Sequence, residues 1–343
     1  MSEFVTLEAI RAAHQRIGDV AVRTPLYRLE RARLEQAKLP EPKFDIYIKA
    51  ESEQPIGSFK LRGAYNMVAQ LTPEERSRGV ITYSSGNHAQ GVAYAARALG
   101  AKAVIVMPSN APAVKKAATK ALGAEIVEVG PASSERRLKA EELVAKHGYA
   151  MIPPYDAPQI IAGQATCGLE IVEQLPDVDL VIAPVSGGGL LSGVATAIKL
   201  AAESGLAKPG VKVWGAEPEL AADAKESFST KKLVEWPAEK TTRTIGDGLR
   251  TQSLGELNFE HVLRYVDGIV TVTEDEIFAA LRIYLAATKL VAEPSGAVSL
   301  AAALFHAHEL PEAKKVAVVL SGGNLEPSLR ERLEAEMAAG QAV

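Results

Sequence analysis

Two rhythms of apolar and polar positions take turns along this chain of 343 residues. Leu7, Ile10 and Ile17 recur at helical spacing and predict a helix over 7–17. Residues 23–26, Arg-Thr-Pro-Leu, read as a turn into an extended segment, and 45–49 alternate as a half-buried strand does. A helical period then starts near Lys60 and runs through Tyr65, Met67 and Val68. From there strand and helix alternate: strands over 79–83, 101–107, 124–129, 149–152, 180–183, 211–216, 268–272 and 316–320, helices over 89–99, 111–122, 134–147, 159–173, 190–203, 275–287 and 295–307. Glycines 100 and 123 stand behind the helices over 89–99 and 111–122, where a helix stops most easily. The stretch 225–258, rich in Thr, Ser and charge, reads as loops and short helices near a site, and 325–343 as mostly helix. Strands joined through helices on short loops mean crossover units and mostly parallel sheets covered by helices, an α/β fold.

Composition narrows the function classes. A formal charge of -4 implies no basic surface, so neither nucleic acid nor an anionic membrane is an expected partner. The uncharged stretch 181–198 is long enough to raise a membrane span, but Pro184 and the glycines at 187, 188, 189 and 193 interrupt it. Cys167 is the single cysteine, so no intrachain disulfide and no thiolate cluster can form. Residues 1–4 lack the basic and apolar regions of a signal peptide, and the expected location is the cytoplasm.

Four short stretches carry the candidate chemistry. In the first, Gly57-Ser58-Phe59-Lys60-Leu61-Arg62-Gly63-Ala64, a lysine is set between apolar neighbours. Burial depresses the pKa of an ammonium, and only the neutral amine attacks an aldehyde, so Lys60 suits Schiff-base chemistry. The competing reading is a helix lysine pointing at water. In the second, Ser84-Ser85-Gly86-Asn87-His88, a strand becomes a helix through small and polar residues whose free N–H groups can hold a carboxylate; capping alone would also use a Ser or Asn there. The third, Ser186-Gly187-Gly188-Gly189-Leu190-Leu191-Ser192-Gly193, lets backbone amides close on a phosphate at the carboxyl end of a strand. It is not a dinucleotide fingerprint, because the third glycine would fall on Ser192 and no acidic residue follows about twenty positions on. The fourth, Ser321-Gly322-Gly323-Asn324, offers a hydroxyl to a ring heteroatom, or is a plain turn.

An imine-forming lysine, a phosphate cradle, a carboxylate nest and a ring-facing serine together suit pyridoxal phosphate carrying an amino acid. On these motifs the chain resembles the serine/threonine dehydratase family of the tryptophan-synthase-β-like fold (fold type II), close to serine racemase and 3-hydroxyaspartate dehydratase. The resemblance implies that Lys60, flanked by Phe59, is the Schiff-base lysine and that Gly187, Gly188, Gly189 and Leu190 cradle the phosphate. It places Asn87 at the ring's 3-hydroxyl and Ser321 at the pyridine nitrogen. Ser85 would face the cofactor from the side opposite Lys60, and with Ser84, Asn87 and His88 would hold the substrate carboxylate. It further implies a large domain of 1–78 plus 155–343, a small mobile domain of 79–154, and a homodimer. Glu217, the carbonyl of Ala221 and Asp223 resemble the divalent-cation site of serine racemase and some dehydratases, where oxygen ligands suit Mg, Mn or Ca. Arg136 falls on an arginine that serine racemase uses for a second carboxylate, or is a solvated helix residue.

The expected reaction is β-elimination from a 3-hydroxy amino acid such as L-threonine or L-serine, giving a 2-oxo acid and ammonia. A 3-hydroxyaspartate or phenylserine-type ammonia-lyase and a serine racemase are the alternatives, with a catalytically dead amino-acid sensor as the non-enzyme reading. Pro55-Ile56 replaces the family's usual threonine ahead of the lysine core, which removes a hydroxyl near Lys60 and bears on the substrate. Residues 325–343 leave no room for a regulatory domain, so isoleucine feedback is not expected.

Overall fold

The computed structural model describes residues 4–36, 42–84, 86–111, 113–130 and 133–339. Among them run α1 (Leu7–Ile17), β1 (Leu26–Arg28), α2 (Arg31–Gln36), β2 (Asp45–Ala50), α3 (Lys60–Val68), α4 (Pro73–Arg78), β3 (Val80–Tyr83) and α5 (Asn87–Ala98). Next come β4 (Ala103–Pro108), α6 (Ala113–Ala121), β5 (Glu125–Val129), α7 (Ser133–His147), β6 (Ala150–Met151), α8 (Pro158–Gln174), β7 (Leu180–Pro184) and α9 (Gly189–Glu203). The chain continues through β8 (Lys212–Pro218), α10 (Asp223–Thr230), α11 (Ala238–Thr241), α12 (Glu256–Tyr265), β9 (Gly268–Val272), α13 (Glu274–Ala287), α14 (Pro294–Phe305), β10 (Lys315–Leu320) and α15 (Pro327–Ala338).

The strands form two sheets. The larger has the order β1-β2-β10-β7-β8-β9, and in it only β1 runs antiparallel. The smaller, β5-β4-β3-β6, is parallel throughout. Both faces of the larger sheet are covered, which is why its strands read as apolar runs. Along β10, Val316, Val318 and Leu320 meet Ile277, Tyr284 and Val298 of α13 and α14, while Ala317 and Val319 face Leu191, Val194 and Val262 of α9 and α12. In the smaller sheet Val80, Ile105 and Met107 pack on α5, and Ile81, Val104 and Val106 on Ala140 of α7. Register follows from these patterns: Val316 lies between Ile46 and Leu180.

Three helices escape the periodicity of the sequence. The short α4 is held by a capping box in which Thr72 and Glu75 satisfy each other's backbone N–H. The others are α2, with six residues, and α12, which follows the polar stretch read as loops.

Helix α3 joins the two sheets. It lies so close to α8 that a Cβ on Gly163 would come 2.6 Å from the Cα of Gly63. Beside this contact Arg62 is fully buried and pairs with Glu51 through Nε at 2.7 Å and Nη2 at 2.8 Å, and with Glu170 through Nη1 at 2.7 Å and Nη2 at 2.8 Å. Nη1 also donates to Thr166 Oγ1 at 3.0 Å. Lys49, equally buried, donates to Glu170 at 2.6 Å and to the Thr24 carbonyl at 2.7 Å. Burial raises the Glu51 carboxyl, but Arg62 and Lys49 outweigh it and hold the group below the usual carboxylate range.

Two cations and two anions in a dry cluster are balanced only while all are present. Arg62→Met is therefore expected to destabilise the protein by about 3–5 kcal/mol, read as a lower urea midpoint at neutral pH. Arg23→Ala, which cuts the exposed pair with Glu173, should cost no more than about 1 kcal/mol. An unchanged midpoint in Arg62→Met would contradict the reading of the cluster.

Candidate active site

In a parallel sheet every strand delivers its carboxyl end to the same edge, and ligands of such sheets bind there. The chain uses this edge of both sheets. The loop after β2 carries Lys60, the loops after β7 and β10 carry the glycine runs, and β3 ends at Tyr83 ahead of Ser84.

The lysine loop is laced to the loop after β10. Ser58 bridges Gly322, the Phe59 N–H donates to the Ser321 carbonyl at 3.0 Å, and the Gly323 N–H donates to the Gly57 carbonyl at 2.9 Å. Gly57 has φ +72°, with Asn324 Oδ1 only 2.5 Å from where a Cβ would stand, so a side chain is excluded twice. Ile56 is buried, and its carbonyl accepts from Asn324 Nδ2 at 3.0 Å. Lys60 opens α3 and is half-buried, with Nζ donating to the Pro154 carbonyl at 2.7 Å and lying 5.3 Å from the Phe59 ring centroid. Burial lowers its pKa to about 8. The expected depression of the lysine is thus present, and a large share of the amine is free at mildly alkaline pH.

The glycine loop after β7 is held from behind. Asn258 Nδ2 donates to the Gly187 carbonyl at 2.9 Å, the Gly255 N–H donates to the same carbonyl at 3.0 Å, and Ser186 Oγ lies 3.0 Å from Thr251 Oγ1. Gly188 adopts φ +93° as the residue before α9, a left-handed turn that a side chain resists. A Cβ on Gly187 would strike the Tyr155 ring. Bare glycine backbone at the first turn of a 15-residue helix, with Tyr155 beside it, has the free N–H groups that a phosphate needs.

At the start of α5, Asn87 Nδ2 donates to Glu293 Oε1 at 2.6 Å and Asn87 Oδ1 accepts from Asn324 Nδ2 at 2.7 Å. The Gly86 N–H donates to Ser84 Oγ at 3.3 Å. The His88 side chain is buried and turned to the Ile152 carbonyl, 3.0 Å from Nε2; burial and the nearby Lys60 charge lower its pKa to about 3, so the ring stays neutral. Ser321 is buried beneath the lysine loop. Ser85, expected on the opposite face of the cofactor, lies outside the described residues.

Arg136 lies on α7, half-buried, and its Nε is buried with no hydrogen-bond partner. Burial lowers its pKa, and the nearby Tyr83 works the other way. Glu217, at the end of β8, is 1% exposed and accepts from the Lys225 N–H at 2.9 Å; Asp223 is 2% exposed with Oδ2 unpartnered. Burial and Asp223 push the Glu217 carboxyl well above its usual value, and burial pushes Asp223 up to about 7. Ala221 ends the short turn between them. Among the described residues no three His, Cys, Asp or Glu gather as a metal centre, so any cation here would lean on carbonyl oxygen and water beside the two carboxylates.

The arrangement fits pyridoxal phosphate. A desolvated amine, a glycine loop without side chains, and polar groups on the loops after β3 and β10 are of the kinds that its aldehyde, phosphate and ring require. Four contributors were invisible to the sequence reading: the Pro154 carbonyl, Tyr155, Asn258 and Glu293. Pro153-Pro154-Tyr155 after a strand end was a usable signal for the first two. Asn258 and Glu293 carry none, since their partners lie 71 and 206 positions away.

Comparison with known proteins agrees. A family model described as pyridoxal-phosphate dependent enzyme matches residues 17–322. The L-threo-3-hydroxyaspartate ammonia-lyase of Saccharomyces cerevisiae is 44% identical over 82% of this chain and 83% of its own length. The L-threonine ammonia-lyase of Thermotoga maritima is 41% identical over 96% and 78%. The structure of maize serine racemase superposes with a TM-score of 0.87 at 34% identity, covering 99% of both chains.

Proposed function

We propose, from the premise that this chain belongs to the pyridoxal-phosphate dependent enzymes, that it converts a 3-hydroxy amino acid to a 2-oxo acid and ammonia, the water lost in the β-elimination being taken up again on hydrolysis. It is an ammonia-lyase of the threonine-dehydratase type, with serine racemases as near relatives. The observation that carries the reading is the Lys60 amine, desolvated and resting on the Pro154 carbonyl, so that the loop after β2 of one sheet meets the chain just after β6 of the other.

When bound, the cofactor supplies an electrophilic aldehyde and an electron-withdrawing ring that acidifies the Cα–H of an attached amino acid. The other tasks fall to the chain. Lys60 anchors the cofactor, and its freed Nζ takes the Cα proton. Gly187, Gly188, Gly189 and Leu190 hold the phosphate at the start of α9. Asn87 meets the 3-hydroxyl, and Ser321 the pyridine nitrogen. A serine hydroxyl there, in place of a carboxylate, would not hold a proton on that nitrogen, which would suit loss of the Cβ hydroxyl. The N–H groups around Ser84, Ser85, Asn87 and His88 hold the substrate carboxylate, while the His88 ring, turned to Ile152, keeps the loop in place.

Residues 79–154, which contain the whole smaller sheet, form the unit that closes over substrate. Asn87 to Glu293 and Lys115 to Asp247 are bonds across its boundary. A homodimer in the cytoplasm completes the proposal, and no described helix is long and apolar enough to cross a membrane.

The substrate is L-threonine or L-serine in the first reading. One observation favours L-threo-3-hydroxyaspartate: Arg136 holds a buried, unpartnered Nε beside Tyr83, close to the end of β3. A second carboxylate on Cβ would satisfy it.

Release of 2-oxo acid from the three substrates by the cofactor-loaded protein separates these readings. Lys60→Ala should abolish release from all of them. If Arg136 takes a second carboxylate, Arg136→Gln lowers kcat/KM for hydroxyaspartate by about 10- to 100-fold and leaves serine and threonine nearly unchanged. Equal losses on all three would exclude that role, and no 2-oxo acid from any substrate would sink the elimination reading.

Glu217, Asp223 and the Ala221 carbonyl are proposed to hold a divalent cation of the Mg, Mn or Ca type. Without it, raised carboxyl pKa values mean that the folded state binds more protons than the unfolded one between about pH 4 and Asp223's value near 7. Stability from these two groups is therefore fullest in acid and is lost as pH rises. Chelator-treated protein should melt earlier at pH 8 than at pH 6 through this term, and magnesium should restore the pH 8 value. Asp223→Asn should remove the magnesium response, and a response that survives it would place the cation elsewhere.

A further inference from the structure

Glu293 has no part in the roles assigned so far, yet it stands behind the residue given to the cofactor's 3-hydroxyl. Its orientation is settled by a chain of partners. The Ile56 carbonyl can only accept, so the Asn324 atom 3.0 Å from it is Nδ2. The same Nδ2 is 2.7 Å from Asn87, which must present its oxygen there. Asn87 Nδ2 is left to donate to Glu293 Oε1, at 2.6 Å. The carboxyl is 6% exposed and so tightly placed that a Cβ on Gly322 would collide with Oε1. The Glu293 N–H donates to the Gly322 carbonyl at 3.0 Å, and the Asn324 N–H donates to the carboxyl. Glu293 is thus built into the loop that follows Ser321 and touches Asn87 from behind.

We propose that Glu293 is a positioning residue for the bound cofactor: through Asn87 it sets the hydrogen bond offered to the ring's 3-hydroxyl, and it does so as a titrating group, not a fixed one. Burial pushes its carboxyl up to about 7. The charged groups that face it are Asp247, which adds to the rise, and Lys115 on α6, which opposes it together with Asn87 and the Asn324 N–H. Lys115 and Asp247 pair with each other, so their fields partly cancel at Glu293. Above pH 7 the bond from Asn87 ends on a carboxylate and is charge-assisted; below it the acceptor is a neutral acid and the bond weakens. The amide of Asn87 is polarised differently in the two states, and the ring senses the change. A plain structural carboxyl would alter melting temperature without this pH dependence.

The inference rests on the cofactor reading above, and its test distinguishes the two. The visible absorbance of the cofactor-loaded protein is followed across pH 7 for the wild type, Glu293→Gln and Glu293→Asp. The wild type should show a transition with a midpoint near 7 that Glu293→Gln loses while keeping a cofactor band. Glu293→Asp, which draws the carboxyl back by one methylene, should keep the transition with a shifted midpoint. A Glu293→Gln protein that titrates like the wild type overturns the proposal, as does a wild type with a band and no transition near 7. If Glu293→Gln does not retain cofactor, Glu293→Asp decides, and an unmoved midpoint overturns it. A wild type with no visible band overturns the cofactor reading itself.

Discussion

A fully buried guanidinium is tolerated only where every N–H finds an acceptor, and that condition on Arg62 shapes much of this molecule. Its donors end on Glu51 after β2, on Glu170 and Thr166 of α8, and weakly on the Val22 carbonyl at 3.3 Å. Three separate stretches of chain are therefore fixed to one residue of α3. Lys60 stands two positions earlier on the same helix, at its first turn. The close approach of Gly63 to Gly163 adds a steric limit to the electrostatic one. The lysine is placed by its helix, and the helix by a dry cluster of two cations and two anions that no single substitution leaves balanced.

Around that fixed point the site is dry, and its ionisable groups are pushed toward neutrality. Lys60 is lowered to about 8, His88 to about 3, and Glu293 and Asp223 are raised to about 7. Burial is the first cause of each shift. Such a set suits an anionic cofactor and a zwitterionic substrate, whose charges meet backbone dipoles at helix starts and do not have to displace resident ion pairs. The exposed ion pairs, such as Arg23 with Glu173, lie elsewhere on the surface.

The fold was largely legible in the sequence because its strands are buried on both faces and its helices are amphipathic or end at glycine. The runs around Val104 and Val181 could be little else. What escaped was short or polar. The capping box of Thr72 and Glu75 makes a helix of six residues without any apolar period, and α12 follows a stretch whose polarity reads as loop. The four site motifs were legible as well, since each places small or glycine residues where a strand gives way to a helix or loop. Glu293, Asn258 and Arg62 were not. A buried charge looks like a surface charge until its partner is known, and the partners of Arg62 lie 11 and 108 positions away. Sequence periodicity carries the direction of a side chain and not the partner it will meet.

The central claim is that Lys60 is the residue that binds the cofactor covalently, and it can be tested at a single position. The protein would be loaded with pyridoxal phosphate, reduced with borohydride to fix the attachment, digested, and its peptides weighed. The account predicts the added mass on the peptide that contains Lys60 and on no other lysine. An unmodified Lys60 peptide beside a modified lysine elsewhere would contradict it.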